Sequence, residues 1–125
     1  MNAPLLEIQH REIDPGVVVI TLAGKLMLGR EGQQVEELVP ALLSQGHRAI
    51  IFDIAGLTRV DSTGIGRFIS SYNKIEQAGG KMAITAASKH LRDCFHATQL
   101  DRVFQFYDDV STACAALALT QRKEP

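Results

Sequence analysis

A chain of 125 residues, 46% apolar and 22% charged, suits one globular domain with a single core. Its net charge of −1 carries no electrostatic footprint for nucleic acid or an anionic membrane. No apolar run approaches the roughly 20 residues of a membrane-spanning helix. The first nine residues lack the pattern of a secretory signal, and two cysteines, Cys94 and Cys114, are too few for a disulfide framework, so a cytoplasmic location is expected.

Residues 5–11 alternate loosely and predict an edge strand. Asp14-Pro15-Gly16 follows as a turn, with proline presetting φ and glycine tolerating a positive φ. Residues 17–22 are rich in β-branched side chains and predict a second strand, paired antiparallel with the first. Residues 24–29 read as a glycine-bounded connection that is unusually apolar for a loop. Either Leu26 and Leu28 plug the core, or Met27 is exposed for contact with a partner, a role suited to an adaptable thioether.

Residues 31–43 predict a helix, because Val35, Leu38, Val39 and Leu42 form one stripe. Pro40 lies off that stripe and predicts a kink. Gly46 is the expected left-handed stop. Residues 49–54 form a nearly continuous apolar run, which suits a central strand covered on both faces. Asp53 interrupts it as a strand-end carboxylate bonded to nearby amides.

Residues 57–66, Leu-Thr-Arg-Val-Asp-Ser-Thr-Gly-Ile-Gly, join this strand to the most amphipathic helix of the chain. Ile65, Phe68, Ile69, Tyr72 and Ile75 mark the inward face of that helix. Arg67, Ser70, Ser71, Asn73, Lys74, Glu76 and Gln77 are assigned to water, and Gly79-Gly80 stops it. Residues 81–86 predict a further strand. Ser88 is the expected cap of a helix carrying Leu91 and Phe95. Residues 103–106 predict a short last strand. Asp108 or Asp109 caps a final helix with Val110, Ala113, Cys114 and Leu117 on one face, and residues 120–125 read as a disordered tail. Strands alternating with helices after residue 17 predict an α/β fold in one domain, with right-handed crossovers.

The residues 61–66 corner is chemically dense but poor in enzymatic signals. Asp61-Ser62-Thr63-Gly64 places its glycine one residue late for an aspartic protease and has no second copy. Gly64-Ile65-Gly66 lacks the third glycine of a dinucleotide fingerprint, since Ile69 stands there, and no phosphate-binding Gly-Lys-Ser/Thr loop occurs. Ser62 has no nucleophile elbow, and the spacing ties none of His10, His47, His90 or His96 to it as a base. His90 and Cys94, four apart, lack a second ligand pair for a metal. No enzyme, cofactor or metal site is expected. Helix capping by Asp61 or Ser62 accounts for part of the corner. The small residues Gly64 and Gly66 leave a low surface for a partner.

Val60-Asp61-Ser62-Thr63-Gly64-Ile65-Gly66 resembles the Asp-Ser-Ser/Thr-Gly-Leu/Ile-Gly signature of STAS domains, the module of anti-sigma-factor antagonists and sulphate transporters. Leu22-Ala23-Gly24-Lys25-Leu26, Gln77-Ala78-Gly79-Gly80-Lys81-Met82 and Leu100-Asp101-Arg102-Val103-Phe104 resemble further segments of that family in the same order, so the resemblance spans about residues 5–119. It implies a mixed sheet of four to five strands opened by the N-terminal antiparallel hairpin, with helices largely on one face. It also implies that Ser62 is a phosphoacceptor. The kinase would be an anti-sigma factor of the GHKL serine-kinase type, bound when Ser62 is unmodified and released when it is phosphorylated, with a PP2C-type phosphatase resetting the cycle. Asp61, Ser62, Thr63, Gly64, Gly66 and Met27 are the implied partner-binding residues; Met27 stands where antagonists of the family often carry an aspartate. A STAS subunit of a lipid-transport ABC complex and an unphosphorylated scaffold or sensor are the alternative roles.

Overall fold

The computed structural model describes residues 5–122. Its elements are β1 (Leu6–Asp14), β2 (Val17–Leu26), α1 (Arg30–Ser44), β3 (Ala49–Val60), α2 (Ser62–Gln77), β4 (Lys81–Thr85), α3 (Lys89–Ala97), a 3-10 turn (Leu100–Arg102), β5 (Gln105–Tyr107) and α4 (Val110–Arg122). The strands lie in the order β1-β2-β3-β4-β5; β1 and β2 pair antiparallel and every later pair is parallel. The sheet is therefore mixed, five-stranded and opened by a hairpin, within the four to five strands that the resemblance implies. Gly16 turns that hairpin with φ 77°.

Parallel neighbours require crossovers, and right-handed crossovers progressing in one direction put their helices on one face. Accordingly α1, α2 and α3 cover one side. Val35, Val39 and Leu42 of α1, Phe68 and Ile75 of α2, and Leu91 and Phe95 of α3 pack there against Val18, Ile20, Leu22, Ile50, Phe52, Ile54, Met82 and Ile84. Phe52, Phe68 and Phe95 meet edge to face, with successive centroids 5.4 and 5.7 Å apart. The fourth helix follows the last strand and folds to the other side. Ala113 and Leu117 of α4 bury Val17, Val19, Ile51 and Ala83 there. Coverage from both sides is why β2 and β3 read as continuous apolar runs. It also puts Cys94 of α3 and Cys114 of α4 in different layers.

Four expectations need correction. The glycine-bounded connection does not start at Gly24, because β2 continues to Leu26 and pairs beside β3 to Val60 across two register shifts. Leu28 does not plug the core: it is 75% exposed, whereas Leu26 is fully buried. Leu26 closes the strand and Leu28 lies past its end. The last strand starts at Gln105 and not at residue 103, because the amides of Val103 and Phe104 both donate to the Leu100 carbonyl in a tight turn. The helical face of α2 is also rotated. Arg67 and Ser71, assigned to water, are buried, and Ile69 is 38% exposed. The cause is a second neighbour: Gly32 of α1 lies so close to Arg67 that an added Cβ would sit 2.7 Å from its Nε. As for the expected tail, α4 runs to Arg122, and residues 123–125 lie outside the described residues.

Candidate functional site

Asp61 sits between the end of β3 and the first residue of α2, in extended backbone with φ −96° and ψ −175°. That conformation aims its side chain back at the helix start, as an N-cap requires. Its Oδ1 accepts the amide of Gly64 at 2.8 Å. Its Oδ2 accepts the amide of Leu28 at 3.1 Å, 33 residues away in the chain. Asp61 also donates its own amide to the Leu26 carbonyl at 3.3 Å. One residue thus caps α2 and ties it to the loop between β2 and α1. The Gly64 amide, followed by that of Leu28, holds the Asp61 carboxyl below the usual aspartate range, because both stabilise the charged form.

With Asp61 as the cap, Ser62 is the first helical residue. It is exposed, and no hydrogen bond of its hydroxyl occurs among the described residues. Thr63 is half-buried beside it. The two glycines of the motif have different surroundings. Gly64 is buried, and a Cβ there would collide with the Leu26 carbonyl and with Val60. Gly66 is exposed, and a Cβ there would meet nothing within 4 Å. Met27 is half-buried at the start of the facing loop. The structure therefore brings Met27, Asp61, Ser62, Thr63 and Gly64 to one corner, with Gly66 one turn along α2.

Two residues of this corner lie where the sequence does not predict them. Leu28, a core plug under one of the two readings of this loop, is the most exposed of the large apolar side chains among the described residues. Arg67, expected on the water face, is 8% exposed, with Nη2 donating to the Gly29 carbonyl at 3.4 Å and Nη1 3.5 Å from Glu36 Oε1. Its Nε has no partner among the described residues. A charged residue three positions after the motif glycine looks like solvent face unless the α1–α2 seam is known. The local signal was Gly32, whose missing side chain makes room for the guanidinium.

The four described histidines do not converge here. His47 faces Glu12 at 3.5 Å and His96 faces Asp101 at 2.7 Å, both away from this corner. No group of three potential metal ligands occurs among the described residues, and no described helix is long and apolar enough to cross a membrane. What the corner offers chemically is an exposed hydroxyl at a helix start, where the helix dipole favours an added anion.

A family model for the STAS domain matches residues 10–113. An anti-sigma F factor antagonist of Paenibacillus polymyxa is 23% identical over 112 residues, which cover 90% of this chain and 93% of that protein. A crystal structure of an anti-sigma factor antagonist from Mycobacterium paratuberculosis superposes with a TM-score of 0.78 at 22% identity, covering 94% of this chain and 99% of that one. The Bacillus cell fate determinant SpoIIAA in its phosphorylated form superposes with a TM-score of 0.68 at 21% identity, covering 94% and 100% of the two chains. At these identities the solved structures speak to the fold.

Proposed function

The chain belongs to the STAS domain family, and from that premise we propose that it is a partner-switching anti-sigma-factor antagonist controlled by phosphorylation of Ser62. The observation that carries this reading is the state of Ser62. Asp61 performs the capping that a serine at this place would otherwise share, so the Ser62 hydroxyl is left exposed and uncommitted. A structural serine would be engaged; a kinase substrate must be free. The relatives named as anti-sigma factor antagonists support the partner class.

In this reading the unmodified protein binds an anti-sigma factor that is also a GHKL-type serine kinase. Asp61, Ser62, Thr63 and Gly66 form one side of the contact and Met27 the other, with Gly64 buried beneath them against Leu26 and Val60. Phosphorylation adds about −1.5 to −2 charges at neutral pH. The helix tolerates this charge at its N-terminus, whereas an interface that must bury the phosphate beside Asp61 does not. A hundredfold loss of affinity corresponds to about 2.8 kcal/mol, which the desolvation of a phosphate supplies. A PP2C-type phosphatase restores the binding form. The whole cycle belongs in the cytoplasm, where ATP and the sigma factor are found.

The test is to incubate the protein with a purified GHKL-type anti-sigma kinase and ATP, and to locate the phosphate by mass spectrometry. Phosphate on Ser62 is expected. Ser62→Ala is expected to bind the kinase whether or not ATP is present, and Ser62→Asp to have lost binding. Equal affinity of Ser62→Asp and wild type would overturn the switch. It would instead favour a role without phosphate, such as a lipid-transport subunit or a scaffold.

A further inference from the structure

The loop between β2 and α1 presents an unusual combination. Leu28 is an apolar side chain 75% exposed to water, yet the backbone on both sides of it is fixed. Its own amide is held by Asp61 Oδ2 at 3.1 Å. The next carbonyl, that of Gly29, accepts from Arg67 Nη2 at 3.4 Å and from the Gln33 amide at 3.2 Å. Gly29 itself has φ 147°, a conformation that favours glycine and that turns the chain from the loop into α1. An exposed leucine on a mobile loop needs no explanation. One clamped by a carboxylate and a buried guanidinium is held in a set position, at the cost of burying a cation whose Nε finds no partner among the described residues.

Resting on the partner-switching reading above, we propose that Leu28 is the apolar anchor of the contact with the anti-sigma factor, received by an apolar pocket on that protein. Arg67 is the positioning residue that holds it out. Three observations select the anti-sigma factor as occupant. The clamp on Leu28 is Asp61, the residue next to Ser62, so anchor and phosphoacceptor are joined through one residue. Ser62, Gly66 and Ile69 continue the surface along α2 at helical spacing, and Ile69 adds a second exposed apolar side chain. Gly66 between them leaves the surface open. A few apolar or aromatic anchors in desolvated pockets typically carry most of an interface's energy, with charged groups at the rim. A phosphate on Ser62 then stands at the rim of the pocket that takes Leu28 and blocks its desolvation.

The experiment is a double-mutant cycle read by calorimetric titration of the purified GHKL-type kinase into wild type, Leu28→Ala, Arg67→Met and the double variant. Leu28→Ala is expected to weaken binding about thirtyfold, the range of an interface hot spot, with no change in thermal midpoint. Arg67→Met is expected to weaken binding about tenfold in the wild-type background and not at all beside Leu28→Ala, because its effect runs through Leu28. If Arg67→Met does not fold, Glu36→Gln removes only the guanidinium's carboxylate partner and reads the same coupling. Unchanged affinity of Leu28→Ala, with wild type bound and Ser62→Asp released, would overturn the anchor and leave the phosphoswitch standing. An Arg67→Met effect that persists undiminished beside Leu28→Ala would overturn the positioning role. Failure of unmodified wild type to bind any such kinase would overturn both readings.

Discussion

Asp61 is the residue on which the corner depends, because its two oxygens serve two elements. Its folded-state pKa lies below the unfolded value of about 3.8, chiefly through the Gly64 amide. The sign of the linkage follows: its contribution to stability is complete above the unfolded pKa and is lost as pH falls through the folded one. Urea unfolding is therefore expected to show Asp61→Asn less stable than wild type at pH 7, with the gap narrowing at pH 3. A gap that widens at pH 3 would contradict the assignment. The two motif glycines make a second prediction. Gly64→Ala forces a methyl onto the Leu26 carbonyl, where backbone cannot yield, and is expected to cost about 2–3 kcal/mol or to prevent folding. Gly66→Ala meets open space and removes a flexible residue from a helix, so it is expected to gain up to about 1 kcal/mol in chemical unfolding.

At the scale of elements, α2 is held between the sheet and α1. Ser71 is 1% exposed on α2 and its hydroxyl has no partner among the described residues. Ser71→Ala removes a desolvated polar group and improves helix propensity, so the variant is expected to be more stable by roughly 1 kcal/mol. A loss of stability measured by urea unfolding would mean that the hydroxyl is engaged. The same helix shows where sequence reading succeeds and fails. Its existence, its Gly79-Gly80 stop and its cap, narrowed to Asp61 or Ser62, were legible, because caps and stops are local chemistry: Asp61 takes the Gly64 amide and Gly79 turns at φ 78°. The Ser88 and Asp109 caps were legible for the same reason, since each accepts the amide three residues on. The rotation of the buried face was not legible, because period alone cannot tell one packing neighbour from two. Leu28 escaped for a related reason. Apolar character argues for burial, and only the end of β2 at Leu26 decides that the second leucine lies outside.

For the molecule as a whole, the corner is bound to a sheet buried on both faces, with a carboxylate, a guanidinium and two glycine contacts fixing it locally. A phosphate on Ser62 is expected to leave that frame intact. Amide spectra of phosphorylated protein should show shifts near residues 26–30 and 58–68 and little change in β4, β5 and α4. Widespread shifts across the sheet would mean that the switch works by refolding and not by changing a surface.

The order of the sheet has a consequence for how the protein is made. Each strand lies beside the one that precedes it in the chain, so strands can be laid down in the order in which they leave the ribosome. The corner that holds Ser62 is assembled from β2, α1, β3 and α2, and every residue it uses has emerged by Gln77. The opposite face is different. Val17, Val19, Ile51 and Ala83 wait for Ala113 and Leu117 of α4, the last described element. Until α4 emerges, the nascent chain therefore holds every part of the Ser62 corner while the apolar residues of the other face have no helix over them. That bare face is where a chaperone would be needed.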